Sequence, residues 1–509
     1  MRKEIFLLIF FPFFVFAQSQ KEIFFVEKSN DLFQREKVLA KLEKVSKNAY
    51  FFVENEWWGN LEEVKREKLR QKLEELAFEF DFRIYPQLTK IFGTEWKPGI
   101  DNDDKITIFF HRMRPEISGY FKDANEYLKI YYPDSNEREM IYLNSEILED
   151  EIAKEKLAHE FLHLISFNQK NRILNSEEET FLEEMRAEAA PLILGYSKNL
   201  EKRLNDFLKN PFDSLTEWEE EKKDYAIASI FSAYLLDYFG PQIFSFSKNS
   251  GILAIEENLR KIGQRENFSD VFRNFALALL FGDCQITQKS CFLNQSLKKI
   301  KIFPQLNFLP KTSESSLTLF GKVKEFSVYA QKIIGGKGKM NFKFEGEKDV
   351  DFNISLVFCK DSKCEIFFPK EKEFVVEDFD KKYDSLTLVL FSKTKGEHSF
   401  SLTFAFGEGF EIKTKEKISC SKITKYLKLG MKDSQVKCLQ EFLKSQGKDI
   451  YPESLVTGYF GNLTEKAVKR FQKKYSKEIL EPLGLKEATG FVGKKTLEKI
   501  NQILAQTKS

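Results

Sequence analysis

The spacing of apolar residues changes twice along the chain, and the changes divide it into stretches of different secondary structure. Residues 21–26 and 50–53 read as short strands with a charged helix between them. Leu69, Leu73, Leu76 and Phe80 recur at helical spacing, which predicts an amphipathic helix over 61–80 with one buried face. Trp96-Lys97-Pro98-Gly99 breaks that pattern, and the polar loop 101–104 follows. Strands are predicted at 106–110 and 141–143. Helices are predicted at about 149–167, from just after Ser176 to about Leu194, and at 224–239, 252–262 and 268–280. Near Cys284 the texture shifts to short alternating runs at 316–320, 340–344, 352–358, 374–376 and 386–391, separated by Gly, Lys and Asp turns. That spacing predicts an antiparallel β-sandwich. From about Cys420 helices return.

The last stretch carries an internal near-repeat. Thr457-Gly458-Tyr459-Phe460-Gly461 with Thr464 recurs as Thr489-Gly490-Phe491-Val492-Gly493 with Thr496, 32 residues on. Each copy reads as a Gly-rich turn followed by a helix, over 464–475 and 496–504, with the threonine as its N-cap. Together with a helix around Val436, Leu439, Gln440 and Leu443, they predict a compact three-helix module.

Length and charge bound the picture from outside. A chain of 509 residues exceeds one core, and about two to four domains are expected. With 80 basic and 78 acidic residues, net charge is +2, which argues against electrostatic capture of nucleic acid. Arg2 and Lys3 precede an apolar run over 5–17, and Val15-Phe16-Ala17 fits a cleavage point before Gln18. Residues 1–17 therefore read as a signal peptide, with an uncleaved anchor as the alternative. No later stretch holds eighteen uninterrupted apolar residues, so no stable membrane span is expected after cleavage. Six cysteines fall into three local pairs, Cys284 with Cys291, Cys359 with Cys364 and Cys420 with Cys438. An even count on an exported chain points to disulfides.

The candidate chemistry sits in one of the predicted helices. His159-Glu160-Phe161-Leu162-His163 places two of the chain's four histidines at i and i+4, on one helix face, where they can grip one metal ion. Leu157, Phe161 and Leu164 form a core stripe on another face. Glu160 lies beside the metal and can take a proton from the attacking water. Catalytic zinc takes three protein ligands and keeps a fourth position open. Glu184, on the next predicted helix, supplies the third ligand, with Glu183 and Glu188 as competitors for that role. Glu188, one turn further on, is expected to accept a hydrogen bond from His159. Tyr225, with His111 behind it, is the candidate donor to a tetrahedral oxyanion. Asp101, Asp103 and Asp104 lack calcium-loop spacing and read as an ordinary loop, and His398 reads as structural or solvated.

Two resemblances follow from these residues. Residues 21–285 resemble the hyicolysin-type neutral zinc metallopeptidases of the thermolysin-like clan. The matching pieces are Ser135-Asn136-Glu137-Arg138-Glu139-Met140-Ile141-Tyr142, the H-E-x-x-H run with Phe167-Asn168, residues 181–190, and Asp224-Tyr225. The resemblance implies a zinc endopeptidase with His159, His163 and Glu184 as ligands and Glu160 catalytic. Where such families tend to have Gly after the ligand, this chain has Met185, which bears on cleft shape. Residues 428–504 resemble the peptidoglycan-binding domains of bacterial wall enzymes, through Gly430, Val436, Leu439-Gln440, the two Gly-rich turns, Ala467-Val468 and Phe471-Gln472. The expected organisation is a signal peptide (1–17), an α+β zincin-like metallopeptidase domain (18–305), an all-β sandwich (306–412) and a small all-α three-helix peptidoglycan-binding domain (413–509). The expected function is a secreted or wall-associated zinc endopeptidase acting on proteins or peptides. The alternatives are a peptidoglycan-cleaving endopeptidase and a wall-binding protein without activity.

Overall fold

The computed structural model describes residues 21–361, 363–407, 422–447, 449–453 and 455–506. The signal-peptide segment and Cys420 lie outside them. The chain divides into two compact units, residues 1–410 and 411–509, each described by itself.

The first unit begins with a six-stranded sheet of β1 (Lys21–Phe25), β2 (Lys37–Val45), β3 (Ala49–Glu54), β4 (Ile106–His111), β5 (Gly119–Phe121) and β6 (Met140–Asn144), in the order β1-β2-β3-β4-β6-β5. β3, β4 and β6 run parallel, and β5 closes one edge antiparallel to β6. β4 and β6 are buried along their whole length because both faces are covered. Ile106, Ile108, Phe110, Ile141 and Leu143 face the helices, whereas Phe109, Met140 and Tyr142 face a second cluster with Phe24 and Phe52. The Tyr142 hydroxyl donates to Phe25 O and accepts from Asn125 and Asn136, which ties the 112–139 connection under the sheet.

One expectation fails here. The charged helix between the first two predicted strands is β2, whose Val38 and Ala40 alternate into the core between β1 and β3. Period two outweighed the charges.

The connection around β5 and β6 also buries two carboxyl groups. Glu126 and Glu139 are 3% and 2% exposed, and both Glu126 oxygens lack a hydrogen-bond partner among the described residues. Burial first, and the neighbouring Glu139 next, push the Glu126 carboxyl well above the usual carboxylate range. The folded state therefore holds a proton that the unfolded chain releases, and stability falls as pH rises above the ordinary carboxylate range of about 4.3. Glu126→Gln is expected to raise the melting temperature at pH 8 and leave it nearly unchanged at pH 4.5. An equal shift at both values would exclude the pair as the source.

Helices Glu63–Glu79, Ile152–Ser166, Thr180–Ile193, Lys222–Phe239, Gly251–Lys261 and Phe268–Phe281 pack on the sheet and on one another around a single apolar core. Two further strand sets follow. β8 (Ser315–Val323), β10 (Met340–Gly346), β13 (Glu373–Val376) and β15 (His398–Phe406) form one sheet. β7 (Gln305–Leu309), β9 (Tyr329–Gly335), β11 (Phe352–Lys360), β12 (Lys363–Phe367) and β14 (Ser385–Ser392) form the other. Their inner faces share Phe342, Leu356, Leu388 and Phe404. The sandwich is not wholly antiparallel, since β7 runs parallel to β9 at an edge.

β14 is buried at every position because the sandwich is sandwiched again. Leu386, Leu388 and Leu390 point into its own core, and Val389 and Phe391 point out into the helical core. Phe272 meets Phe326 and Phe391 at ring-centroid distances of 5.2 Å and 5.0 Å. The helices on the first sheet and both strand sets thus lie within the first compact unit. Disulfides join Cys284 to Cys291 and Cys359 to Cys364.

The second unit is a small helical domain with helices Ser434–Ser445, Asn462–Lys474 and Lys494–Gln506 around Leu439, Phe442, Phe460, Phe471 and Ile500. The 32-residue repeat is a repeated hydrogen-bond network. The Gln440 amide donates to Tyr459 O at 2.8 Å and Thr464 Oγ1 at 2.9 Å, and its oxygen accepts from Gly458 N at 2.8 Å. Gln472 does the same with Phe491 O, Thr496 and Gly490 N. Gly458 and Gly490 both have φ of +73°, which explains their glycines. Thr464 and Thr496 are not N-caps. They lie inside the first helical turn, where their hydroxyls are buried against these glutamines.

Candidate metal centre

The motif helix, Ile152–Ser166, buries Leu157, Phe161, Leu164 and Ile165 in the core and turns His159, Glu160 and His163 toward a cleft. Phe161 stacks on Tyr85 with ring centroids 5.4 Å apart, which locks the helix rotation. The helix Thr180–Ile193 buries Phe181, Leu182, Met185 and Ala189, and so turns Glu184 back toward the histidines. Met185 is buried in the core and does not line the cleft, so its bulk leaves the cleft free.

His159, His163 and Glu184 offer ligand atoms that all lie within 4.8 Å of one another. The two Nε2 atoms are 3.3 Å apart, and Glu184 oxygens lie 3.5 Å and 3.7 Å from them. Ligands about 2.0–2.1 Å from a tetrahedral ion lie roughly 3.4 Å from one another. The donor set therefore fits zinc. Glu184 Oε2 is also buried without a hydrogen-bond partner, as a ligand oxygen awaiting a cation would be.

The outer partners differ from expectation. His163 Nδ1 lies 3.1 Å from Glu183 Oε1, and Ser166 Oγ donates to Glu183 Oε2 at 2.6 Å. Glu183, considered above only as a competing ligand, instead orients His163 and leaves Nε2 for a metal. Burial works against charge on His163, yet Glu184 and Glu183 outweigh it and push its pKa up to about 10. Glu183→Ala is expected to weaken zinc binding by about 10–100-fold in a competition titration against a chromogenic chelator. Wild-type affinity in that variant would remove Glu183 from the assembly.

Glu188 does not hydrogen-bond to His159. Its Oε1 lies 3.9 Å from His159 Nδ1, which has no partner among the described residues. The Glu188 carboxylate is held by Asn199 at 2.7 Å and by two Arg203 nitrogens at 3.1 Å and 2.6 Å. Burial opposes its charge, but Arg203 and then Lys156 bring its pKa down to about 2. It thus acts on His159 through charge. Asn199 and Arg203 come from a helix that the sequence reading missed, Lys198–Phe207. Its first backbone N–H groups are capped by Glu155 of the motif helix.

Glu160 is 5% exposed, and burial pushes its carboxyl up while His159 and His163 pull it down. A Cβ on Gly119 of β5 would lie 2.9 Å from Glu160 Oε1, so the edge strand passes directly over this carboxylate. Tyr225 lines the cleft, with the Arg203 guanidinium 4.9 Å over its ring and Trp218 packed edge-on. His111 does not line the cleft. It is fully buried between Asp31 at 3.4 Å and the Tyr120 hydroxyl at 3.4 Å, stacked on Phe109, so it cannot meet a substrate. His398 pairs with Glu347 at 3.1 Å on the sandwich surface. In the acidic loop, Asp103 accepts from Tyr50 and Asp101 from the Asp103 backbone.

The cleft has a volume of about 1180 Å³. Residues 115–121 line one side, and Lys156, Asn199, Lys202, Arg203 and Tyr225 line another.

Comparison with known proteins locates one part of the chain. Residues 432–500 match the family described as "Putative peptidoglycan binding domain", so the helical module is a peptidoglycan-binding domain. No curated protein matches the chain. Among solved structures, a mitogen from Yersinia pseudotuberculosis is 11% identical over 20% of this chain and 93% of its own, with a TM-score of 0.16. Aeromonas hydrophila PliG, a periplasmic inhibitor of g-type lysozyme, is 12% identical over 20% of this chain and 99% of its own, also at 0.16. Neither likeness bears on function. Among the described residues no helix is long and apolar enough to cross a membrane.

Proposed function

We propose that the chain is an exported zinc-dependent endopeptidase, held at the bacterial cell wall by its C-terminal domain, that hydrolyses peptide bonds of proteins. The observation that carries this reading is the convergence of His159, His163 and Glu184 on one point, beside a buried Glu160 in a large cleft. β5 supports it further. As the last strand of its sheet it has, among the described residues, an edge without a neighbouring strand, on which an extended peptide can pair its backbone over Glu160.

His159, His163 and Glu184 would hold the ion, with Glu183 orienting His163. When bound, zinc supplies a Lewis acid that polarises a carbonyl and acidifies water. Glu160 takes the proton of the attacking water and delivers it to the leaving amine. The Tyr225 hydroxyl donates to the developing oxyanion from the cleft wall.

A second reading keeps this chemistry and changes the substrate to the peptide cross-links of peptidoglycan. The match at residues 432–500 favours it, because such a domain can present a substrate as well as anchor an enzyme. Zymography with casein and with purified sacculi, with and without a zinc chelator, separates the two. Chelator-sensitive clearing of casein alone supports the first, and of sacculi alone the second. A chain that binds sacculi but holds no zinc and clears neither would be a wall-binding protein without activity.

A further inference from the structure

Lys156 stands one turn before Glu160 on the motif helix, so both face the same side. It is 6% exposed and lines the cleft. Among the described residues its ammonium makes no hydrogen bond and no ion pair. The contrast with Lys170 is direct, since that buried ammonium donates to Ser247 O at 2.9 Å and Asn249 O at 2.7 Å and lies 3.6 Å from Glu178. Lys156 Nζ is not among the fully buried unpartnered atoms, so a mostly buried side chain holds its ammonium at the cleft with no protein partner among the described residues, whereas a desolvated ammonium is costly to leave unpaired.

Apart from Glu160, which the proposed chemistry reserves for the attacking water, the wall around Lys156 has no carboxylate to spare. Glu188 is its strongest favourable charge, but three hydrogen bonds from Asn199 and Arg203 already occupy that carboxylate. Arg203 and Lys202 line the same wall and repel Lys156. Two buried carboxylates, Glu188 and Glu160, thus face three cations on this side of the cleft, and neither makes a hydrogen bond to Lys156 among the described residues.

On the reading that the cleft cuts peptides, we infer that Lys156 and Arg203 form a subsite for a substrate carboxylate beside the scissile bond. A carboxylate seated there completes the charge pairing with charge-assisted hydrogen bonds, which an amide or an alkyl group cannot do. Lys156 lies about 6 Å before Glu160 along the helix. An extended peptide advances about 3.3 Å per residue, which sets the favoured carboxylate within about two residues of the bond cut. The carboxylate is either an Asp or Glu side chain or the free C-terminus of a short peptide.

The test uses alanine-based decapeptides carrying one Glu or one Gln at each successive position, with C-terminal acid or amide. Binding is measured by fluorescence anisotropy to the zinc-loaded full chain carrying Glu160→Gln, alone and combined with Lys156→Met or Lys156→Arg. Cleavage by the wild type is followed by mass spectrometry. Carboxylate peptides are expected to bind at least about tenfold more tightly than their amide counterparts. Lys156→Met should bring that ratio close to one, and Lys156→Arg should keep most of it. A preference in the Glu/Gln pairs identifies a side-chain subsite, and one confined to acid against amide ends identifies a terminal one. Equal binding of both classes, or a ratio that survives Lys156→Met in a chain with wild-type circular dichroism, overturns the inference. If the wild type cleaves peptides without preference, the inference fails and the peptidase reading stands. If a Lys156-dependent preference appears without cleavage, the subsite stands and the peptidase reading fails.

Discussion

Glu160→Gln is expected to lower kcat/KM by about 10²–10⁴-fold while zinc content stays at the wild-type level. The substitution conserves volume and removes only the capacity to carry a proton. Glu160 is buried beneath β5, in a position where a larger residue would meet Gly119. Its carboxylate is not among the three groups that converge on the ion position, so the metal should bind without it. A loss of this size corresponds to about 3–5 kcal/mol of transition-state stabilisation. Zinc per chain, measured by mass spectrometry, and progress curves on a fluorogenic peptide decide the matter together. A variant that cleaves at the wild-type rate would remove Glu160 as the base. One that loses its zinc would show that the residue serves the site structurally.

Much of this centre is legible in the sequence because helix geometry alone brings its parts together. Residues at i and i+4 share a face, and the stripe of Leu157, Phe161 and Leu164 says which face is buried. The role of Glu183 was also within reach. Two adjacent acids on a helix point about 100° apart, so Glu183 and Glu184 cannot both face one ion squarely. The position of Ser166, three residues after His163, could have flagged the far side of that imidazole as polar. The shortfall at Glu188 is different in kind. Its spacing is right, but its carboxylate is drawn away by Asn199 and Arg203, from a helix whose signal was the stripe of Leu200, Leu204 and Phe207 at i, i+4 and i+7. Glu155, from the motif helix, caps its start, and that partner could not be read from the sequence.

The same division runs through the fold. β2 hid behind its lysines, because a strand with one face open to solvent shows only half of its residues to the core. β5 is three residues long and contains a glycine, too short for any periodicity, yet it borders the cleft. The attachment of the sandwich was visible in Leu386–Leu388–Leu390 alternating with Val389 and Phe391, since apolar residues on both faces of a strand require cover on both. The repeat in the C-terminal domain was legible as sequence, but its threonines were given the commoner capping role. Only the positions of Gln440 and Gln472 explain why those hydroxyls turn inward.

Removing Glu184 is the change expected to act on the metal itself. Glu184→Ala should lose zinc under mild chelation that the wild type withstands, with a fall in affinity larger than the about 10–100-fold typical of an outer partner, and with activity lost in step. The carboxylate lies within 4 Å of both Nε2 atoms and has a buried oxygen without any hydrogen bond, and among the described residues it is the carboxylate that converges with the two histidines. A linked pH effect follows. Burial disfavours the charged form of His163, but Glu184 first and Glu183 next hold its pKa up to about 10, so zinc must displace a proton there. Wild-type affinity should therefore rise with pH across the neutral range and level off only above that value. In Glu184→Ala the largest supporting charge is gone, the proton is held less firmly, and the affinity curve should level off at lower pH. Titrating zinc against a chelator at several pH values measures both effects. If Glu184→Ala keeps its zinc while Glu183→Ala or Glu188→Ala loses it, the third ligand is the carboxylate whose removal empties the site.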